Sequence, residues 1–260
     1  MSGVLEVRGL CHSFGALRAV GDLDLDVGDG EIVSLIGPNG SGKTTTINLV
    51  SGVYRPSAGR VLLDGDELTG LPPDAIAGHG VMRTFQGIRV FPQLSVLDNL
   101  LVGGHTRLRV GPVGAILRTP RVRRAERAAI EQADELMGIF GDRLLPRRDH
   151  LVTSLSYANR RRVEICRALM GQPRVLLLDE PAAGMNPHET MELAEQVRAI
   201  RHRGVNVLLI EHHMQMVMAI SDRVVVMDHG VRIASGTPSQ VAADPRVIEA
   251  YLGRRAVAGE

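Results

Sequence analysis

The sequence predicts an α/β protein with a mainly parallel, buried sheet, and two observations carry this prediction. A glycine-rich loop, Gly37 to Thr44, stands between the apolar run Ile32 to Ile36 and a helix-like stretch that begins at Thr45. From Val175 onward, short apolar runs alternate with helical stretches. Strands and helices in such alternation form parallel sheets covered by helices. With 44% hydrophobic residues among 260, the chain is large enough for a substantial core.

The first quarter of the chain is predicted to be rich in strands. Apolar segments lie at Val4 to Val7, Leu23 to Val27 and Ile32 to Ile36, and glycines separate them. After the helix that follows the glycine-rich loop, Arg60 to Leu63 runs into Asp64-Gly65, which is typical of a strand and its turn.

A helical region is predicted in the middle of the chain, from about Arg89 to Met170. Ala, Arg and Glu become frequent between residues 121 and 137, and the apolar spacing becomes helical. Gly, Pro and Thr interrupt this pattern from Gly111 to Pro120, which we interpret as a linker. We therefore expect a helical subdomain inserted into the core.

The remaining elements complete the alternation. Strands are predicted at Val175 to Leu178, Val205 to Ile210 and Val224 to Met227, and a helix at Glu189 to Arg201.

Composition excludes several classes of function. The chain has 30 Lys and Arg residues and 29 Asp and Glu residues. It therefore lacks the overall basic excess that would indicate nucleic-acid binding. Cys11 and Cys166 are far apart and lack metal-ligand spacing, which suits a reducing compartment. No stretch approaches the ~20 apolar residues that cross a bilayer, and no signal-peptide core follows Met1. We expect a cytoplasmic protein that reaches a membrane only by docking on another protein.

The glycine-rich loop matches the pattern G-x-x-x-x-G-K-[ST], which cradles nucleotide phosphates. Glycines let backbone N–H groups turn toward the phosphates, Lys43 supplies a positive charge for the β and γ oxygens, and the Thr44 hydroxyl can ligate Mg²⁺. The residues predicted to contact the nucleotide here are Gly37, Pro38, Asn39, Gly40, Ser41, Gly42, Lys43, Thr44 and Thr45.

Two carboxylates follow the strand that begins at Val175. Parallel sheets bind ligands at the carboxyl ends of their strands, where Asp179 and Glu180 are expected. Asp179 would hold Mg²⁺ through its water shell, and Glu180 would orient or deprotonate the attacking water.

Two segments resemble motifs of ATP-binding cassette (ABC) ATPases. Leu155 to Arg160 (LSYANR) resembles the signature motif, and Leu176 to Pro181 (LLLDEP) resembles the Walker B segment. The resemblance implies ATP hydrolysis in a head-to-tail dimer, in which Ser156 and Ala158 of one subunit face the nucleotide of the other. The common signature reads Leu-Ser-Gly-Gly-Gln, so Ala158 stands where glycine is usual. Its methyl group leaves less room for the backbone to approach phosphate, which predicts a reduced turnover.

Other positions match further parts of the ABC ATPase site. Phe14 resembles the aromatic that stacks on adenine, with a core phenylalanine as the alternative; such a stack would accept ATP or GTP. Gln86 resembles the glutamine that reaches Mg²⁺ and water and links the site to the transmembrane partner. His212 resembles the switch histidine that contacts the γ-phosphate, and His213 is interpreted as a bystander. Asn186 lies in the segment that resembles the loop crossing the dimer.

The resemblance also implies the domain organisation. It predicts a single ABC ATPase domain over residues 1–260, with a P-loop NTPase core and an N-terminal antiparallel β subdomain formed by about 1–88 and 171–260. A helical signature subdomain would occupy about 89–170, and residues 88–110 would help to form the groove for a permease helix.

The chain resembles one branch of the family. Arg83 to Gln86 (RTFQ), Pro181 to Pro187 (PAAGMNP), Ile210 to His212 and the tail Val247 to Gly253 resemble LivG-type ATPases of branched-chain amino acid importers. That resemblance implies a second ATPase subunit, two permeases and, indirectly, an external binding protein, at the cytoplasmic face of the membrane. Other amino acids, urea or amides, lipopolysaccharide export and a soluble ATPase that remodels a nucleoprotein or ribosome stay as alternatives, since fold and motifs do not fix the cargo.

Overall fold

A computed structural model of the chain describes residues 4–104 and 120–252. Apart from Pro120, the predicted linker from Gly111 to Pro120 lies outside the described residues. The same is true of residues 105–110 of the predicted groove and of Gly253.

The amino-terminal strands form an antiparallel sheet of four strands. Its members are β1 (Leu5–Phe14), β2 (Leu17–Val27), β4 (Ala58–Leu63) and the short β5 (Asp66–Glu67), in the spatial order β2-β1-β4-β5. Neighbouring strands pair antiparallel throughout. This confirms the predicted antiparallel β structure.

The second sheet has six strands and is parallel except at one edge. It contains β3 (Ile32–Ile36), β6 (Val81–Arg83), β7 (Val175–Asp179), β8 (Asn206–Ile210), β9 (Arg223–Asp228) and β10 (Val231–Gly236), in the order β10-β9-β3-β8-β7-β6. Only the pair β9 and β10 is antiparallel. The strands β3, β7 and β8 are buried along their whole length, which explains their continuous apolar sequences.

Nine α-helices surround the sheets in the described part of the chain. They are α1 (Lys43–Val50), α2 (Pro73–His79), α3 (Val96–Gly103), α4 (Pro120–Ile139), α5 (Tyr157–Leu169), α6 (Pro187–His202), α7 (Met214–Ile220), α8 (Pro238–Ala242) and α9 (Pro245–Leu252). Single 3₁₀ turns lie at Gly141–Arg143, Leu145–Arg147 and Val152–Ser154. Among the described helices, none combines the length and apolar character needed to span a bilayer.

Alternation along the buried strands divides the core between the two faces of the second sheet. Leu176 and Leu178 of β7 pack into a cluster with the helical region and α6. Leu177 packs on the opposite face with the antiparallel sheet and α1. The helices predicted as a subdomain therefore share one core with the parallel sheet.

Candidate functional site

The glycine-rich loop connects β3 to α1 and lies tightly against neighbouring backbone. Gly42, the residue before α1, has φ 101°. A Cβ at this position would lie 2.4 Å from the Ala19 carbonyl oxygen, and one at Gly37 would lie 2.1 Å from the Met227 oxygen. The loop can approach β2 and β9 this closely only because these positions are glycines.

Lys43 lies over its own loop. Its Nζ donates hydrogen bonds to the carbonyl oxygens of Gly37 at 2.8 Å and Pro38 at 2.9 Å. Burial lowers the pKa of the ammonium, and the nearby charges of Glu180 and Asp179 oppose that effect. The positive charge is therefore held at the loop by two carbonyls that phosphate oxygens could replace.

A cavity of about 440 Å³ opens above the loop and contains most of the predicted site. It is lined by nine predicted residues: Phe14, Asn39, Gly40, Gly42, Lys43, Thr44, Thr45, Gln86 and Glu180. The cavity is also lined by four residues that were not predicted from the sequence: Leu17, Arg18, Ala19 and His229. These residues lie in the hairpin after Phe14 and in the turn after β9, and no sequence motif predicted that either would lie beside the loop.

Phe14 is exposed at the rim of this cavity. Its side chain is 46% accessible, which contradicts the core alternative. The rings of His12 and Tyr54 contact it edge-on, with centroids 4.7 Å and 5.5 Å away. Two aromatic neighbours thus support a ring that stays accessible for stacking.

Pro38 and Ser41 face a different cavity, of about 770 Å³, between the loop and α9. Arg246 and Ala250 line its other side. Burial raises the pKa of Tyr251 on the same helix, while a hydrogen bond from the Gly37 backbone acts in the opposite direction. The carboxyl-terminal helix is therefore a neighbour of the phosphate loop.

Glu180 and Gln86 meet at the end of β7. The Gln86 Nε2 donates to the Glu180 Oε2 at 3.0 Å. Glu180 has φ 48°, a conformation that costs free energy outside glycine, and its N–H bonds to the Ile210 oxygen at 2.9 Å. The structure brings two of the predicted catalytic side chains together.

Asp179 does not line the cavity and forms an ion pair with Arg83. The Arg83 Nη2 lies 2.8 Å from the Asp179 Oδ2, and the two side chains are only 8% and 2% exposed. Asn48 and Ser51 accept the other guanidinium hydrogen bonds. Burial raises the pKa of Asp179, and Arg83 limits that rise.

The oxygen atoms of Thr44, Gln86 and Asp179 form a donor set that suits Mg²⁺, which prefers oxygen ligands. Thr44 and Gln86 line the same cavity, and Asp179 directly precedes Glu180. The residues present therefore fit this ion.

The segment that resembles the signature lies at the start of α5. Ser156 is exposed and its Oγ accepts a hydrogen bond from the Asn159 N–H at 3.3 Å. Ala158 is 4% exposed and packs in the core. Neither residue lines the cavity above the loop of its own chain.

Two residues of α5 bind the backbone next to Gln86. Arg161, fully buried, donates to the Phe85 oxygen at 2.5 Å and the Gln86 oxygen at 2.6 Å. It also donates to Glu164 at 2.7 Å, and Glu164 accepts from the Phe85 N–H at 3.4 Å. Glu164 is buried, and this ion pair and the backbone N–H satisfy its oxygens.

His212 lies beyond the end of β8, next to a buried carboxylate. Its side chain is 57% exposed, whereas that of Glu211 is fully buried. Glu211, His212 and His213 form the one cluster of metal-ligand type in the described residues. Its residues are not those predicted to hold Mg²⁺, and N–H groups donate to both Glu211 oxygens.

The profile of the ABC transporter family matches residues 20–183 of the chain. The chain belongs to the ABC transporter family. This ABC ATPase also matches the profile described as branched-chain amino acid ATP-binding cassette transporter, over residues 231–257. Its reaction is the hydrolysis of ATP.

Curated relatives match the ABC ATPase almost from end to end. The high-affinity branched-chain amino acid transport ATP-binding protein LivG of Escherichia coli K12 is 46% identical, over 96% of this chain and 98% of its own. BraF of Pseudomonas aeruginosa, which carries the same description, is 45% identical with the same coverage. The lipopolysaccharide export system ATP-binding protein LptB of E. coli is 36% identical, over 96% of this chain and 97% of its own.

A solved structure confirms the fold. An ATP-binding cassette of an ABC transporter, crystallised in its ADP conformation, superposes with a TM-score of 0.84 at 30% identity. The match covers 98% of this chain and 100% of the other.

Proposed function

We propose that this ABC ATPase is the subunit that powers import of branched-chain amino acids. The observation that carries the proposal is the profile match over residues 231–257, outside the motifs that all ABC ATPases share. The 46% identity to LivG over nearly the whole chain supports the same cargo.

In this proposal the residues around the 440 Å³ cavity bind and hydrolyse MgATP. The phosphate loop and Lys43 hold the phosphates, and Phe14 stacks on the base. Glu180, paired with Gln86, orients the attacking water and accepts its proton. Mg²⁺, held by Thr44, Gln86 and Asp179, would neutralise charge on the phosphates.

His212 and the start of α5 complete the site from two directions. His212 lies at the end of β8 and would contact the γ-phosphate. Ser156 and Ala158 would face the nucleotide of a second ATPase subunit, either a sister chain or a second copy, in a head-to-tail dimer. The exposed Ser156 at the N-terminus of α5 supports this role, because helix N-termini bind anions.

The helical region, about 89–170, would receive the permeases. Phe91 and Leu151 are 45% and 51% exposed there and offer apolar surface for a protein contact. Two permease subunits would hold the ATPase at the cytoplasmic face of the membrane, and a binding protein outside would deliver the cargo.

The first test replaces the proposed water-orienting carboxylate. Glu180→Gln is expected to retain ATP binding and ATP-dependent dimerisation while kcat falls at least ~100-fold, because the amide cannot accept the proton. Nucleotide binding, phosphate release and sedimentation in excess ATP measure the three properties. Glu195→Gln, on the exposed side of α6, is the matched control. A Glu180→Gln chain that turns over normally, or that stays monomeric in excess ATP, would contradict the proposed site.

The second test addresses the cargo. Cells whose only copy carries Glu180→Gln are expected to lose uptake of labelled leucine, isoleucine and valine, while cells with the native chain retain it. The 36% identity to LptB makes lipopolysaccharide export the second candidate. Normal uptake combined with a defect in surface lipopolysaccharide would favour the exporter; normal uptake without that defect would move the cargo to another amino acid, urea or an amide.

A further inference from the structure

The carboxylate of Glu211 connects the loops that follow β7 and β8, at the carboxyl ends of these strands. Its Oε1 accepts a hydrogen bond from the Ala182 N–H at 2.9 Å, in the loop that follows β7. Its Oε2 accepts from the N–H groups of His212 at 2.8 Å and His213 at 3.0 Å, directly after β8. The His213 Nδ1 lies 2.9 Å from the same oxygen. One side chain thus fixes the starts of both loops.

Both oxygens of the Glu211 side chain act as hydrogen-bond acceptors in this arrangement. Three backbone N–H groups converge on the Glu211 carboxylate, and the side chain is fully buried. Buried carboxylates are costly unless hydrogen bonds compensate them. An amide of the same shape would turn an NH₂ group toward one set of these donors, so glutamine could serve only one of the two loops.

His213 adds a side-chain contact to the same unit. The hydrogen bond to Glu211 fixes its ring, and the ring centroid lies 4.3 Å from that of His212 with the planes tilted by 36°. The exposed His212 ring therefore has a restrained neighbour on one side. This gives a structural role to a residue that the sequence analysis interpreted as a bystander.

We propose that Glu211 is a positioning residue for ATP hydrolysis. It fixes the position of His212 relative to the loop that contains Ala182. The inference rests on the proposed role of His212 at the γ-phosphate. That loop leads to Asn186, in the segment expected to cross the dimer. Glu211 would transmit the position of this loop to the histidine within one subunit.

The experiment is a double-mutant cycle on the full-length chain. Glu211→Gln, His212→Ala and the double variant are compared for kcat, for KM of ATP and for nucleotide affinity. We expect Glu211→Gln to lower kcat by about tenfold or more while KM stays within about twofold, as for residues that orient a functional group. In the His212→Ala background the same change should cost less than about twofold, because Glu211 acts through that side chain.

A second pair of variants keeps the test decisive if Glu211→Gln fails to fold. His213→Asn retains a donor for the Glu211 carboxylate and should preserve most of kcat, whereas His213→Ala removes it and should lower kcat. Glu195→Gln is the control for a carboxylate lost from an exposed position. Melting temperature and circular dichroism establish that the compared variants are folded.

The outcomes separate this inference from the proposed function. Unchanged kcat in Glu211→Gln, or a loss that adds fully to that of His212→Ala, would overturn the positioning role. If Glu211→Gln does not fold, equal kcat values for His213→Asn and His213→Ala would overturn it. Normal turnover of His212→Ala would instead reject the histidine's role and, with it, the premise of the inference.

Discussion

Asp179 and Arg83 form a buried ion pair next to the proposed reaction centre. Arg83 ends the short edge strand β6, and Asp179 ends its neighbour β7, so the sheet register brings the two side chains together. The motif at 176–181 predicted the carboxylate but gave no information on its partner, which lies in a different motif. Such pairings depend on strand order, which a local pattern does not contain.

Removal of the arginine is expected to destabilise the fold. Arg83→Met would leave the Asp179 carboxylate buried without its cation, at a cost of about 3 kcal/mol in the free energy of unfolding. Urea denaturation measures the loss, and Arg60→Met, at an exposed position of β4, is the control, expected to stay within about 0.5 kcal/mol. Equal midpoints for the two variants would show that Asp179 does not depend on Arg83.

Among the elements, helix α5 connects the signature segment to Gln86. Arg161 spreads its guanidinium over the carbonyl oxygens of residues 85 and 86 and over Glu164. A shift of this helix would therefore move the backbone that carries Gln86. The helical spacing of apolar residues predicted a helical region here, but it gave no sign that the polar side chains at 161 and 164 are also buried.

The guanidinium geometry of Arg161 predicts a sensitive position. Arg161→Lys keeps the charge, but a single ammonium cannot reproduce the fork that reaches two carbonyls and a carboxylate. We expect a loss of about 2 kcal/mol in stability and a lower kcat with little change in nucleotide affinity. Denaturation and steady-state kinetics check both effects.

Arg160→Lys on the same helix is the control for that substitution. Arg160 donates one hydrogen bond, from Nε to the Leu155 oxygen, and a lysine can retain one. A kcat for Arg161→Lys that equals the control value would contradict a link between α5 and Gln86.

The bounds of some helices and strands could be predicted from the local sequence pattern, and those of others could not. The strand Ile32 to Ile36 was predicted with its observed bounds, because both of its faces are buried and the run is continuously apolar. The helix predicted from Glu189 begins instead at Pro187, since Asn186 and Glu189 form a capping box that extends it by two residues. Strand β10 was not predicted, as its sequence lacks a strong apolar run and it forms only by pairing with β9.

At the scale of the whole molecule, a charged cluster joins the two sheets. Arg223, the first residue of β9, bonds Glu31 at 2.9 Å and Asp26 of β2 at 2.9 Å. Burial alone would raise the pKa of Glu31, but hydrogen bonds from Arg223 and from the Gly28 N–H outweigh it, and the pKa is lowered. Residues so far apart in sequence could not be paired before the sheet order was known.

The lowered pKa of Glu31 makes part of the stability depend on pH. The unfolded chain binds this proton near its ordinary pKa of 4.5, so the contribution is complete above that value and disappears as the pH falls through the lower folded pKa. We expect Glu31→Gln to lose about 1–2 kcal/mol at pH 7 and to match the native chain in strong acid, where Glu31 is protonated in both states. Urea denaturation from pH 7 into strong acid checks this, with Glu67→Gln, exposed on β5, as the control. A deficit that persists unchanged into acid would assign the loss to packing, because charge pairing between the sheets must vanish with the carboxylate charge.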